Sequence, residues 1–282
     1  MSIDPEIAVG ASLGAREFEW SASDVILYHL ALGATELKYA FEPQLTVLPT
    51  FGVVAPTFHV TEPPTVVFPG IDIDLADTLH GSQQITVHGP LPTSGKARAT
   101  GRIADVYDKG SAAVIVTEFE VADLDGTPLY TMRSEIFARG HGGFGGQRGP
   151  SAKTAPPDGP PDAVLVTETL PQQALWYQLC GDRNPLHVDP EFAARAGFPR
   201  PILHGLCTYG MVYKSIVDHL GEVVPHYQAR FAGVVFPRRH PAHPPLGRRL
   251  RHLRRRPPGP HRHLHLRVRK AGIVGRDREF RS

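Results

Sequence analysis

Apolar residues fall near helical spacing just after residue 20: Val25, Ile26, Leu27, Leu30 and Leu32 follow a polar opening of Ser21 or Ser23 with Asp24, and Gly33 closes the run. The spacing predicts a helix there. Residues 43–74 are rich in Pro and Gly and predict loops with few regular elements. From Gln83 the period changes to two. Ile85 and Val87, then residues 97–107, 113–124 and 129–138, read as successive strands. Turn residues separate them: Pro90, Pro92 and Gly95, then residues 108–111, then Asp125-Gly126. Four such runs in succession predict an antiparallel meander.

A Gly- and Pro-rich stretch at residues 140–162 reads as a linker. Beyond it residues 163–167 read as a strand and residues 171–180 as a short helix. Asp189-Pro190 opens another helix, with Asp as cap and Pro in the first helical position. Residues 205–220 set Leu206, Tyr209, Tyr213, Ile216, Val217 and Leu220 along one stripe, and Gly221 stands where a terminating glycine belongs. One half runs from helix to strands and the other begins the same way. The expectation is two related α+β units, divided as 1–145, a linker 146–162, and 163–236, with 237–282 set apart.

Composition adds bounds. The chain has 282 residues, 41% hydrophobic and 21% charged, ordinary for a globular protein and enough for two modest units. No run of about 18 apolar residues predicts a membrane span. The opening residues lack a basic segment followed by an apolar one, so no secretory leader and a cytoplasmic location are expected. Cys180 and Cys207 are the only cysteines and read as reduced core thiols. Charge is lopsided. Residues 237–282 hold fifteen of the 30 Lys and Arg but two of the 28 acids, leaving residues 1–236 with fifteen bases against twenty-six acids.

The densest chemistry lies in Gly181-Asp182-Arg183-Asn184-Pro185-Leu186-His187. A carboxylate and an imidazole can hold one water and pass its protons. On a regular helix residues five apart do not face each other. The Asn184-Pro185 step disfavours a helix and lets a bent loop bring Asp182 and His187 together. The same residues would also serve as an ordinary surface turn with a solvated histidine. In Leu203-His204-Gly205 a helix begins at Gly205, and the unpaired N–H groups of such an end favour a developing oxyanion. Gly205 would equally permit close helix–sheet packing.

The run Tyr177-Gln178-Leu179-Cys180-Gly181-Asp182-Arg183-Asn184-Pro185-Leu186-His187 resembles the signature of the R-specific enoyl-CoA hydratases, the hydratase-2 branch of the MaoC-like family, and Leu203-His204-Gly205-Leu206-Cys207-Thr208 resembles its second motif. Similar segments stand in the first half: Leu79-His80-Gly81-Ser82-Gln83, Asp108-Lys109-Gly110-Ser111 and Gly142-Gly143-Phe144-Gly145-Gly146. The likeness runs from about Phe18 to Pro237. It implies a double hot dog, two long helices each wrapped by an antiparallel sheet with the sheets side by side. The implied activity is reversible hydration of trans-2-enoyl-CoA to (3R)-3-hydroxyacyl-CoA in fatty acid or sterol side-chain breakdown. Asp182 and His187 would be the acid/base pair, Asn184 would support them, and Gly205 would offer its N–H to the thioester oxygen. His80, Gly81, Lys109, Arg183 and Phe231 would bind substrate, and residues 51–54, Phe58 and 68–72 would surround an acyl tunnel. No metal or other cofactor is implied, CoA being part of the substrate. A homodimer is implied, without nucleic-acid or membrane partners. Alternatives on the same fold are an acyl-CoA-binding protein whose catalysis is impaired and a thioesterase.

The end of the chain departs from that pattern. After Pro237 come Arg238-Arg239-His240-Pro241-Ala242-His243-Pro244-Pro245, and the region to His261 holds little that could bury a strand face. Only Leu264, Leu266 and Val268 alternate acceptably. We read this segment as the product of a shifted reading frame in a GC-rich gene, which the nucleotide sequence can decide. Competing readings are a basic arm for anionic partners and a metal site at His261, His263 and His265.

Overall fold

The computed structural model describes residues 2–150 and 163–237, together with the backbone of His263–Arg269 and Gly272–Val274. The strands, in chain order, are β1 (Ser12–Trp20), β2 (Val66–Phe68), β3 (Ile71–Ile73), β4 (Thr78–Val87), β5 (Gly95–Asp108), β6 (Ala112–Asp123), β7 (Pro128–Arg139), β8 (Ala163–Glu168), β9 (His226–Arg230), β10 (His263–Arg269) and β11 (Gly272–Val274). Six form one antiparallel sheet in the order β1-β5-β6-β7-β4-β9. A second sheet runs β11-β10-β8, and β2 with β3 makes a hairpin.

The expected meander is corrected by this order. β5, β6 and β7 follow one another across the sheet, but β4 lies beyond β7 instead of beside β5. Its link to β5 contains Pro90 and Pro92, which discourage a tight hairpin. That link must cross three strand spacings, about 14 Å, which its length allows. The edge left free on β5 is taken by β1, which the hydrophobic pattern does not reveal. Arg16, Glu17 and Glu19 crowd β1, as suits an edge strand. Glu17 and Glu19 pair with Arg98 and Lys96 of β5 at 2.6 and 3.0 Å. Such exposed pairs fix register more than they add stability.

Two helices lie at the centre. In Ala22–Ala31 the Ser21 hydroxyl and the Asp24 carboxylate cap each other's backbone N–H groups. Gly205–Leu220 buries Cys207, Tyr209, Met211, Val212, Tyr213, Ile216 and Val217, matching the middle of the expected stripe but leaving Leu206 half-buried and Leu220 exposed, and ends at Gly221 with φ +76°. The helices touch at Gly210, where a Cβ would sit 2.5 Å from the Tyr28 hydroxyl oxygen and 2.7 Å from Leu32. Only hydrogen fits there. The Tyr209 and Tyr213 hydroxyls donate to the carbonyls of Tyr227 and Val224, at 3.0 and 2.7 Å, so these buried phenols are satisfied. β9 then pairs with β4, Ser82 opposite Arg230 and Thr86 opposite His226, which carries the sheet of the first half into the second. One core cluster accordingly takes residues from both halves.

His29 pins the first helix. Its Nε2 accepts from the Leu48 N–H at 3.3 Å, and Nδ1 donates to the Tyr39 carbonyl at 3.0 Å. The bond from Leu48 needs the neutral ring, because only a bare Nε2 can accept. Burial, reinforced by the nearby Lys214 charge, lowers its pKa to about 4 against the opposing pull of the Tyr39 carbonyl. A depressed folded pKa means that stability is full above the unfolded value near 6.5 and falls as pH drops toward 4. The contribution at stake is about 3 kcal/mol. Denaturant unfolding across that range should lose a term of this size in the His29→Leu protein; an unchanged pH dependence would show the ring is not held neutral.

The linker residues 151–162 lie outside the described residues, as does most of 238–282. Within the latter, the backbone of β10 pairs with β8, Leu264 opposite Thr167 and Leu266 opposite Leu165. The suggested histidine site at 261, 263 and 265 falls outside the described side chains. Among the described residues no helix is long and apolar enough to cross a membrane.

Candidate active site

The segment after the short helix Gln173–Tyr177 is bent by its own sequence. A single 3-10 turn, Gln178–Cys180, ends at Gly181 with φ +96°. A Cβ on Gly181 would sit 2.0 Å from the Thr57 carbonyl oxygen, so glycine is demanded by both conformation and space. The Asp182 carboxylate accepts the Asn184 N–H at 3.2 Å, and the Asn184 side-chain oxygen accepts the Leu186 N–H at 3.0 Å. Asn184 thereby caps the turn Pro185–His187. The outcome is the predicted convergence. Asp182 and His187, with His204, present side-chain donor atoms that all lie within 4.8 Å of one another.

His187 has its tautomer set. Its Nδ1 lies 2.9 Å from the Ile202 carbonyl, which can only accept, so Nδ1 carries the proton and Nε2 keeps a lone pair. The residue is 8% exposed. Burial pushes its pKa down, while the Asp182 charge and the Ile202 carbonyl pull it back up. Asp182, Arg183 and Asn184 are partly exposed, so the cluster opens toward solvent on the loop side. A cleft of about 270 Å³ lined by Leu32, Val166, Glu168, Met211 and Lys214 shares no residue with it.

His204 is fully buried and caps the helix Gly205–Leu220 in position, without a side-chain bond to it. Its ring lies 3.8 Å from that of His187, tilted by 32°, and 4.9 Å from that of Tyr177. Burial first, then the proximity of His187, hold its pKa well below the usual histidine range. Asp182, His187 and His204 have the residue types and spacing of a metal site. Each imidazole already commits one nitrogen to a backbone carbonyl, His187 Nδ1 to Ile202 and His204 Nε2 to Asp182.

Gly205 is the next residue, and its N–H, the first of the helix, has no partner within that helix. A Cβ there would meet the Phe231 ring at 3.5 Å. Phe231 also stands edge-on to His80 at 5.0 Å and donates its N–H to the Gly81 carbonyl at 2.9 Å. The pairing of β4 with β7 shifts register between His80 and Ser82, a bulge that turns His80 toward the second half. The His80 Nε2 bonds the Ser82 carbonyl at 3.0 Å. Burial lowers the His80 pKa, opposed by that carbonyl and by the Asp182 charge, which places the ring within electrostatic reach of the carboxylate.

Comparison with known proteins gives the family. Residues 18–140 match the MFE-2 hydratase 2 N-terminal domain, and residues 152–240 match the MaoC like domain. The enoyl-CoA hydratase ChsH3 of Mycobacterium tuberculosis is 56% identical over 248 residues, 84% of this chain and 87% of that protein. The chain belongs to the MaoC-like hydratase 2 family. A crystal structure of a MaoC-like dehydratase from Phytophthora capsici superposes with a TM-score of 0.75 at 28% identity, covering 83% of this chain and 85% of that one. A Mycobacterium tuberculosis protein described as having a double hotdog fold superposes with a TM-score of 0.52 at 11% identity, covering 84% and 83%, and speaks to the fold alone. The fold of this hydratase 2 chain is a double hot dog.

One of the residues singled out on the family pattern, Lys109, has its charge engaged elsewhere. The Lys109 ammonium is bonded to the carbonyls of Arg148 and Pro150 and lies over the Tyr107 ring at 5.2 Å. Among the described residues the buried Nε of Arg183 has no hydrogen-bond partner, and its charge is felt by Cys180. The glycine-rich loop 142–146 wraps a carboxylate of the chain itself. Gly110, Gly143 and Gly145 each donate to Asp108 at 2.8 Å, and these bonds hold its carboxyl below the usual range. Phe51, Val54 and Phe58 are packed into the main core, and Ile71 with Phe68 belongs to a separate cluster around Ile3 and Ile103. Sequence reasoning did not select His204. A histidine immediately before the first glycine of an apolar-striped helix was the available signal.

Proposed function

We propose that this protein catalyses the reversible hydration of trans-2-enoyl-CoA to (3R)-3-hydroxyacyl-CoA, as a hydro-lyase. The observation that carries it is the Asp182 carboxylate beside an imidazole whose Nδ1 is committed to Ile202, leaving Nε2 to face a water. In the hydration direction the water oxygen adds to C3 while one of its protons is taken up by the pair. A proton is returned to C2, so the pair ends as it began. Negative charge gathers on the thioester oxygen meanwhile, and the Gly205 N–H at the helix amino end would donate to it. Asn184 contributes by holding the turn between the two groups. The thioester itself acidifies C2, so the chemistry calls for no further cofactor.

His80 and Gly81 of the first half, with Phe231 of the second, would flank the acyl thioester. Thr78, Ala138, Ala113 and Asp108 are aligned across β4, β7, β6 and β5, which sets Lys109 at the same end of the sheet as His80, about 14 Å across. That is a reach suited to the phosphates of CoA, with Arg183 as a second cation nearer the acyl end. We further propose a cytoplasmic homodimer and units divided near 145 and 163. The test is loss of the conjugated thioester absorbance on adding crotonyl-CoA and longer enoyl-CoAs, with chiral analysis of the product. Release of free thiol, or an S product, would overturn the reading.

A further inference from the structure

We propose that His204 is a positioning residue for the hydration, clamping the Asp182 loop onto the amino end of the helix Gly205–Leu220. The inference rests on the hydratase reading above and adds a residue to it. His204 Nε2 lies 3.3 Å from the backbone carbonyl of Asp182, across 22 residues of chain. A carbonyl accepts only, so Nε2 carries the proton and Nδ1 is the bare nitrogen. Among the described residues that buried Nδ1 has no hydrogen-bond partner. Leaving a buried acceptor unsatisfied is costly. An apolar ring of similar size would remove the cost, so the donor side is what distinguishes the imidazole here.

Three parts of the site meet at this one ring. Its donor holds the residue that bears the carboxylate, its face covers the His187 ring at 3.8 Å, and its own backbone leads directly into Gly205. Asp182 sits on a loop that is otherwise fixed by Gly181 against Thr57, by the Asn184 turn, and at its far end by Leu186 and His187, which bond Ile202 ahead of the helix. None of those bonds Asp182 itself to the start of the helix. His204 does, and so sets the distance between the acid/base pair and the amide that would receive the thioester oxygen. Its side chain is fully buried behind His187, so it acts through its neighbours and not on substrate.

His204→Phe keeps an aromatic face against His187 and removes the donor. His204→Gln keeps an N–H of similar reach and removes the ring. The expected result is a roughly ten- to hundredfold loss of kcat for Phe with KM within about threefold, since small misplacements of reacting groups cost that much. Gln should recover most of the rate. Wild-type kcat in the Phe protein overturns the proposal, as does a Gln protein no better than Phe, or an effect confined to KM. Hydrogen exchange of the amides at 182–188 gives a readout that needs no turnover: faster exchange in Phe, near wild-type exchange in Gln. Unchanged exchange in Phe overturns the clamp even if the wild-type protein hydrates no thioester, an outcome that would count separately against the hydratase reading.

Discussion

Asp182→Asn lowers kcat for enoyl-CoA hydration by about 10²- to 10⁴-fold, the range that positioned acid/base groups supply. The substitution is chosen to spare the loop. An asparagine side-chain oxygen can still accept the Asn184 N–H that Asp182 accepts at 3.2 Å, so the bend persists while the group that holds and returns a proton is gone. His187→Asn does the same for the imidazole. Its amide nitrogen can replace Nδ1 in the bond to the Ile202 carbonyl, and nothing replaces Nε2. The double variant decides whether the two act together. If both grip one water, the pair of substitutions costs little more than either alone, because a unit once broken cannot be broken again. Full activity in either single variant, or losses that multiply, would remove the shared-water mechanism. Melting temperatures near wild type are needed alongside, and the surviving backbone bonds make that the expectation.

The sequence made the local parts legible and left the long-range ones hidden. Ser21 with Asp24 announces a helix start because the cap is a contact between residues three apart, and it is found there. The stripe from Tyr209 to Val217 and the closing Gly221 are legible for the same reason, although Leu206 is only half-buried and Leu220 is exposed. The place of β4 is not, since strand order depends on which edges meet in space, and β7 claims the edge that sequence proximity would give to β5. β1 was hidden by its charges, which belong to a sheet edge and obscure alternation. At the site, the Asn184-Pro185 step predicts a bend, and the bend brings Asp182 to His187. What no spacing rule offers is the partner of each group: that His187 would spend Nδ1 on Ile202, that His204 would lie across both, or that Asp108 would occupy its own glycine loop. The aromatic run 51–58 shows a further limit. Apolar residues that pack a core and those that line a tunnel share one composition, and only coordinates separate them.

Gly205→Pro isolates the other half of the mechanism. Residue 205 is the first of its helix, a position where proline fits because the N–H there has no partner within the helix. The preceding residue must be extended for this, and His204 is, with φ −53° and ψ 132°. The new ring begins with a Cβ in ordinary contact with Phe231 at 3.5 Å. The helix should therefore form, and the melting temperature should stay close to that of the wild type. Catalysis should not survive. Loss of one donor to a developing oxyanion costs about 10²- to 10³-fold in kcat. Gly205→Ala adds the same Cβ and keeps the N–H, so it should remain within several-fold of wild type and measures the crowding alone. A Pro protein that matches the Ala protein would mean the amide gives nothing to the transition state. A Pro protein impaired in KM with kcat intact would mean that position 205 shapes the binding site and that the thioester oxygen finds its stabilisation elsewhere.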